Sequence, residues 1–399
     1  MTQLPNNRNI RLDFIRGIAV LGILMMNIQA FAFPFAAYGN PTVFPEFSGN
    51  NVTSYWFTHL IFDQKFMGIF SILFGVGIHI FAKRVAEREG HAGKRHYMRM
   101  VWLLLFGLIH AYFIWWGDIL VAYAITGCLT FLFLEATNKT LLWSASGMLV
   151  ALWLMIFLPG FLFPFMPEDA IASDILPLWQ PSQENLNAEI SAYTGSWADA
   201  FWYRLQQVPE LQSYTLMFVF KTLALNLIGI VLYRSGFFDA TWKKSSYLLV
   251  LFIGIGLGSA LTTYGALNNI EQSFHWKYSM AFGAQYNYWG STFSALGYCA
   301  LIVLLCYRLP VGKIIGWFSN VGKMAFTNYI MQSIICSIIF YGFGFGFYGE
   351  LNRLELIYTT VGIWSLLIIV SNIWMHFFKF GPLEWVWRCL TYGKVFSIK

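Results

Sequence analysis

Charge is what this sequence has least of. Lysine and arginine number 25 and aspartate and glutamate 19 in 399 residues, which makes only 11% of the chain charged. A soluble domain carries about a quarter. A globular protein this poor in charge could not cover its own surface, so a soluble fold is excluded. The formal net charge of +6 is therefore no nucleic-acid signal; its distribution matters more than its sum. Cysteine is also sparse. Cys128, Cys299, Cys306, Cys336 and Cys389 show no CxxC or other metal-ligand spacing. They read as small buried hydrophobes rather than a disulfide framework or a metal cage. No internal repeat relates the two halves, in contrast to the symmetry many transporters carry. No small-residue cleavage site precedes the polar segment at Pro41, so the first apolar stretch reads as a retained anchor rather than a signal peptide.

Apolar residues fill the space that charge leaves. Hydrophobic side chains make up 58% of the chain and aromatic ones 19%, as expected where the solvent is itself apolar and rings gather at the membrane interfaces. Windows of roughly 20 apolar residues, the length that crosses the hydrocarbon, fall near 14–33, 56–81, 100–116, 119–136, 140–163, 212–233, 246–266, 288–307, 324–342 and 355–377. The expected fold is all-α: one polytopic membrane domain over 1–399, with about ten transmembrane helices. Trp116-Gly117-Asp118 makes the third and fourth helices a tight hairpin. With the N-terminus inside, twenty of the 25 lysines and arginines fall in cytoplasmic segments, Arg8 and Arg308 among them; the exceptions are Lys65, Arg204, Lys221, Lys277 and Arg353. This asymmetry predicts both termini in the cytoplasm. The segment 164–210, with one Arg and seven acids, is expected as an outer loop insertion. The segment 309–323 and the tail 381–399 carry amphipathic pieces expected on the inner face.

Ionisable groups at membrane depth cost several kcal/mol, so each carries a functional hypothesis by default. Lys65 lies just inside the second window, two residues after Asp63. It either lines a site or snorkels to the outer interface along its own stem. His110 is a reactive base or a packing histidine bonded to a neighbouring helix. Asp118 is its partner or merely the N-cap of the fourth helix. Eight residues of regular helix separate the two by about 12 Å along the axis, so a direct hydrogen bond is expected only with a hairpin bend or a water. Lys221, some two turns from the nearest interface, is the hardest to excuse, and His79 reads as structural. Asp13 and Arg16 share a face at i, i+3 and can pair. Asn27 lies near that same face four turns on. The basic stretch from Lys83 to Arg99, including Arg84, is either topogenic or a grip for an anionic group. The glycines of Phe74-Gly75-Val76-Gly77 and Phe343-Gly344-Phe345-Gly346 follow no strand and read as packing and turn residues rather than a phosphate cradle.

Several stretches together resemble the YeiB family of bacterial inner-membrane proteins: RLDFIRGIAVLGILMMN (11–27), DQKFMGIFSILFGVG (63–77), GLIHAYFIWWGDIL (107–120), LYRSGFF (232–238), GKMAFTNYIMQ (322–332) and GPLEWVWRCLTYG (381–393). They run the length of the chain. A more distant resemblance is to membrane-embedded acyltransferases, including the heparan-glucosaminide type. Those enzymes open with a similar basic-L/V-D-x-x-R-G helix followed, fifteen residues after its L/V, by histidine in one branch and asparagine in the glucosaminide branch; here that residue is Asn27. The chain lacks that histidine, and His59, in the neighbourhood of the glucosaminide family's outer-loop histidine, sits in no matching motif.

The resemblance implies acyl transfer to an envelope glycan or lipid at the bacterial cytoplasmic (inner) membrane. Acyl-CoA would be a cytoplasmic co-substrate, with no bound cofactor or metal. His110 would act as base, oriented by Asp118, with Asn27 and Lys65 polarising the carbonyl. Asp13, Arg16, Asp63, Lys221, Arg84 and Arg99 would be the substrate-binding groups. Two other functions are carried alongside: a transporter of a small anionic or amphipathic solute past Lys65, Lys221 and His110, and a non-catalytic membrane scaffold. The expected partners are the lipid bilayer and an envelope glycan or lipid acceptor. Nucleic acid is not expected, and the sequence specifies no oligomeric state.

Overall fold

A computed structural model describes residues 9–308 and 312–399, with side chains left undescribed at 210–211, 213–216 and 307–308. Arg8, the Arg308 side chain and the first three residues of the expected amphipathic segment 309–323 lie outside that description. No strand occurs among the described residues. The principal helices are α1 (Ile10–Ala32), α2 (Gly49–Ile61), α3 (Lys65–Glu89), α4 (Gly93–Ile109), α5 (Leu120–Leu132), α6 (Asn138–Phe157), α7 (Gln183–Thr194), α8 (Trp197–Met217), α9 (Val219–Arg234), α10 (Lys244–Glu271), α11 (Ala284–Arg308), α12 (Lys313–Lys323), α13 (Ala325–Phe340), α14 (Arg353–Phe377) and α15 (Pro382–Tyr392).

Seven of the helical stretches described are long and apolar enough to cross a membrane: Ile10–Ala32, Gly49–Glu89, Gly93–Ile114, Asn138–Phe165, Lys244–Glu271, Trp276–Cys306 and Arg353–Phe377. The three remaining windows also fall on helices, but shorter ones. α5 has 13 residues, and α9 and α13 have 16 each. The window 56–81 holds a break that its apolar composition conceals, because α2 stops at Ile61 and α3 restarts at Lys65. α12 meets α13 at a 78° bend.

The packing is that of a bundle with its apolar faces turned outward. On α10, Leu249, Phe252, Ile253 and Leu257 are exposed, while Gly254, Gly258 and Thr262 are buried. Those glycines let α10 approach α11 so closely that a Cβ at Gly254 would sit 2.6 Å from the Cα of Gly297. Small residues at the helix interface with large apolar ones facing outward suit a lipid solvent. The insertion 164–210 folds over the end of the bundle where α1 finishes. Its Tyr193 is buried between Tyr341 and Tyr348, at ring distances of 4.8 and 5.0 Å. The tail helix α15 closes the opposite end, and the five cysteines are free thiols.

Candidate functional site

The segment Gly107 to Leu120 builds the centre. α4 does not end cleanly: His110–Ile114 form a wide π turn, after which Trp115 is extended. Such bulges recur at functional sites. The turn and the hairpin after it carry Asp118 back onto His110, and Nδ1 of His110 lies 2.8 Å from Oδ1 of Asp118. The bend that a direct bond requires is thus present: the π turn and the extended residue cancel the axial rise of about 12 Å in a regular helix. Asp118 also caps α5, its Oδ2 accepting from the Val121 amide at 2.8 Å. The capping and functional readings of Asp118 therefore hold together. Gly107 makes room for this, since a Cβ there would lie 2.7 Å from the Val121 nitrogen and 3.0 Å from Asp118 Oδ2.

The other ring nitrogen of His110 faces Ser333 of α13, with Nε2 and Oγ 2.9 Å apart. His110, Asp118 and Ser333 are 1%, 0% and 2% exposed. Asp118 accepts from Nδ1–H; in the neutral ring Nε2 then offers a lone pair to the Ser333 hydroxyl, which also has the Tyr329 carbonyl 3.4 Å away. This serine–histidine–carboxylate chain has the connectivity that activates a hydroxyl as a nucleophile. The Tyr329 ring lies 5.1 Å from the imidazole and the Trp115 ring 6.2 Å, closing its flanks. Arg204 of α8 fastens the π turn from the insertion side. Its Nε donates to the Tyr112 carbonyl at 3.1 Å, Nη1 to Ile114 at 2.9 Å and Nη2 to Phe113 at 3.2 Å. The guanidinium thus holds carbonyls that a terminating helix leaves without partners.

Lys65 and Lys221 meet elsewhere, at the α2–α3 break. Gln64 takes a left-handed φ of 58° there. Lys65 is fully buried and does not snorkel. It donates to the carbonyls of His59 (2.8 Å) and Asp63 (3.2 Å) and to Asn287 Oδ1 (3.3 Å). Its ammonium caps the carbonyl end of α2, where a cation is favoured. Asn287 Nδ2 donates to Asp63 Oδ2 at 2.7 Å, and His59 Nδ1 lies 2.9 Å from the same oxygen. Lys221 donates to Gln64 Oε1 (2.9 Å), Ser291 Oγ (2.9 Å) and the Tyr288 carbonyl (3.2 Å). Each ammonium has three donors and spends all three on the protein.

The expected constellation is therefore divided. His110 and Asp118 come together and recruit Ser333, while Lys65, Lys221 and Asp63 form a second cluster. No hydrogen bond among the described residues joins Lys65 or Asn27 to the histidine. Asn27 is half-buried. α3, which bears Lys65, meets α5, which Asp118 caps, through the Ser71 hydroxyl and Tyr123 OH at 2.8 Å. At the opposite end of the bundle, Asp13 pairs with Arg16 at 2.7 Å. Arg99 stacks between Phe81 (4.7 Å) and Trp387 (4.3 Å), and the Trp387 indole donates to the Arg99 carbonyl at 2.9 Å. Arg84 is exposed. The tail motif also supplies Glu384, which caps α13 by accepting from the Phe326 and Thr327 amides (2.7 and 3.1 Å) and the Thr327 hydroxyl (2.5 Å). Ser333 and Arg204 escape sequence reasoning. A serine in an apolar run is an ordinary packing residue, and Arg204 reads as a loop charge.

Residues 232–394 match the family described as "Protein of unknown function (DUF418)". The chain is similar to "Uncharacterized protein YeiB" of Escherichia coli (strain K12), 30% identical over 96% of each chain. It is likewise similar to "Uncharacterized protein YxaH" of Bacillus subtilis (strain 168), 31% identical over 98% of this chain and 95% of the relative. A third relative, "Uncharacterized 39.9 kDa protein in amylase 3'region" of Bacillus acidopullulyticus, is 26% identical over 97% and 94%. No solved structure matches. At 30% identity over 96% of both chains, the chain belongs to the YeiB family.

Proposed function

We propose that this protein is an acyl-transfer enzyme of the bacterial inner membrane. Its ten spans, seven long and three short, carry both termini in the cytoplasm, and its reacting centre is Ser333–His110–Asp118. The observation that carries the reading is the buried hydrogen-bonded chain from hydroxyl to imidazole to carboxylate. The positive-inside distribution puts the end bearing Arg16, Arg84 and Arg99 in the cytoplasm. Those groups are then the docking site for acyl-CoA phosphates. Arg99 and His110 are eleven residues apart, so about 16 Å of helix separates that mouth from the base.

In this reading Ser333 Oγ attacks the acyl carbonyl as His110 Nε2 takes its proton. Collapse expels the thiol, which leaves with that proton, and the acyl group stays on Ser333. An acceptor hydroxyl or amine of an envelope glycan or lipid then gives its proton to His110 and attacks the acyl-serine, and the proton returns to Ser333. Asp118 keeps Nδ1–H in place and stabilises the imidazolium. Lys65 polarises nothing in this scheme, because its donors are already committed.

The test uses the purified full chain in proteoliposomes with acyl-CoA donors. Ser333→Ala and His110→Ala should each lower turnover by roughly a thousandfold or more while leaving the protein monodisperse, and Asp118→Asn by a comparable factor. A covalent acyl group should be trapped on Ser333. Turnover unaffected by Ser333→Ala refutes the scheme.

The α2–α3 break favours a second reading, transport. Interrupted helices with buried charges at their break hold substrates and ions in transporters, and Lys65, Asp63 and Lys221 sit at such a break. Gradient-dependent solute uptake into liposomes, lost in Lys221→Met, would support it over catalysis.

A further inference from the structure

A cavity of about 160 Å³ lies between the insertion and the triad hairpin. Its walls are Phe113 and Ile114 of the π turn, Trp197 of α8 and Ile338 of α13. Phe113, Trp197 and Ile338 are 52%, 45% and 43% exposed, so the cavity opens on the apolar perimeter of the bundle. Two polar groups line it. The Arg204 guanidinium, buried and bonded to three carbonyls, has two further N–H donors beyond those three. Ser337 Oγ, 5% exposed, has no hydrogen-bond partner among the described residues. A hydroxyl buried in that way costs free energy that only an acceptor recovers.

Ser337 follows Ser333 by four residues on α13, so the two hydroxyls share a face about 6 Å apart along the helix. A cavity of about 150 Å³ in an apolar wall takes a benzene-sized group, roughly six carbons. We infer that this cavity is the pocket for the transferred acyl group, a short chain of up to about six carbons whose carbonyl oxygen accepts from Ser337 and whose carbonyl carbon lies toward Ser333. The inference rests on the acyl-transfer reading and adds to it the class of acyl group. A twelve-carbon chain is too large for these walls and is excluded. Arg204 serves two ends here: it fixes the π turn bearing His110 and gives the pocket its one positive charge.

The experiment measures occupancy without turnover. The full chain in nanodiscs is irradiated with the ethyl ester of hexanoic acid carrying a diazirine on its fifth carbon, and adducts are mapped by mass spectrometry. Adducts are expected on the segments 113–114, 197–204 and 334–338, competed by ethyl hexanoate but not by the twelve-carbon ethyl ester. Ile338→Trp, which fills the cavity from a site facing its mouth, should lower those adducts by roughly tenfold, and Ser337→Ala by several-fold. Adducts indifferent to both Ile338→Trp and Ser337→Ala, or competed equally by the two esters, overturn the pocket even if acyl transfer is observed. Adducts that obey those variants in a protein that turns over no acyl donor leave the pocket standing and remove the acyl-transfer reading.

Discussion

Replacing Arg204 with lysine keeps the charge and removes the fork. The guanidinium reaches three successive carbonyls, of Tyr112, Phe113 and Ile114, at 3.1, 3.2 and 2.9 Å. A lysine ammonium is a point donor on a different stem and can serve one of them well. Hydrogen bonds to charged groups contribute about 1.5–3 kcal/mol each. Losing two therefore removes about 3–6 kcal/mol before relaxation, and water at the mouth of the turn recovers a part, leaving a net cost of about 2–4 kcal/mol. That cost falls on the π turn rather than the whole bundle. The reporter is the Trp115 amide, which closes the turn on the His110 carbonyl at 2.8 Å. Each 1.4 kcal/mol is a factor of ten, so Arg204→Lys should speed hydrogen exchange of Trp115 by roughly 30- to 700-fold. Amides of α10, Lys244–Glu271, serve as the internal control and should not change. Exchange at Trp115 altered by less than about threefold would refute the claim that Arg204 holds the turn, and with it the account of how His110 is aimed.

Glu189, in the insertion, makes docking of that segment pH-dependent. It accepts from the Phe35 amide at 2.9 Å and from Tyr348 OH at 3.0 Å, and burial pushes its carboxyl up to about 7. The folded form therefore binds the proton more tightly than the unfolded chain does. Stability contributed by the protonated form is present below the ordinary carboxylate range and declines as pH rises from there through 7. Purified protein should release α7 to limited proteolysis more readily at pH 8 than at pH 5.5, and Glu189→Gln should flatten that dependence. Glu384→Ala removes the shared acceptor of the Phe326 and Thr327 amides at the start of α13. It should cost about 2–4 kcal/mol locally, read as faster exchange at 326–327, while Glu384→Gln recovers part of the protection. No change in exchange at those amides in Glu384→Ala would contradict the capping role.

What could be read in advance divides by the distance over which the chain interacts with itself. All ten apolar windows fall on helices, because twenty apolar residues in lipid have no other way to satisfy their backbone. The Trp116-Gly117-Asp118 hairpin and the tail helix follow from local signals in the same way. The break at Gln64 does not, since averaging hydropathy over a window hides the three residues between α2 and α3. The His110–Asp118 bond is legible only as a condition, a bend between the two residues; the π turn that completes that bend is set by tertiary support, here Arg204 some ninety residues on. Lys65 and Lys221, weighed singly, each looked like an unexplained charge, yet each is satisfied through Asn287, Ser291 and the backbone of other helices.

The histidine itself suggests how the missing half of such a site can be sought. A buried imidazole has two nitrogens of opposite character in its neutral form, and each unmet one costs about 1–3 kcal/mol. The motif GLIHAYFIWWGDIL supplies one partner within eight residues. The second nitrogen then demands a partner on a facing helix, and it must donate, because the carboxylate has already fixed the proton on Nδ1. Backbone carbonyls are ruled out by that sign, which leaves hydroxyls and amides on the helices packed against α4. Ser333, across 223 residues of sequence, is the group that answers. The demand was legible from the histidine and aspartate alone, while the identity of the donor is a property of the packed bundle.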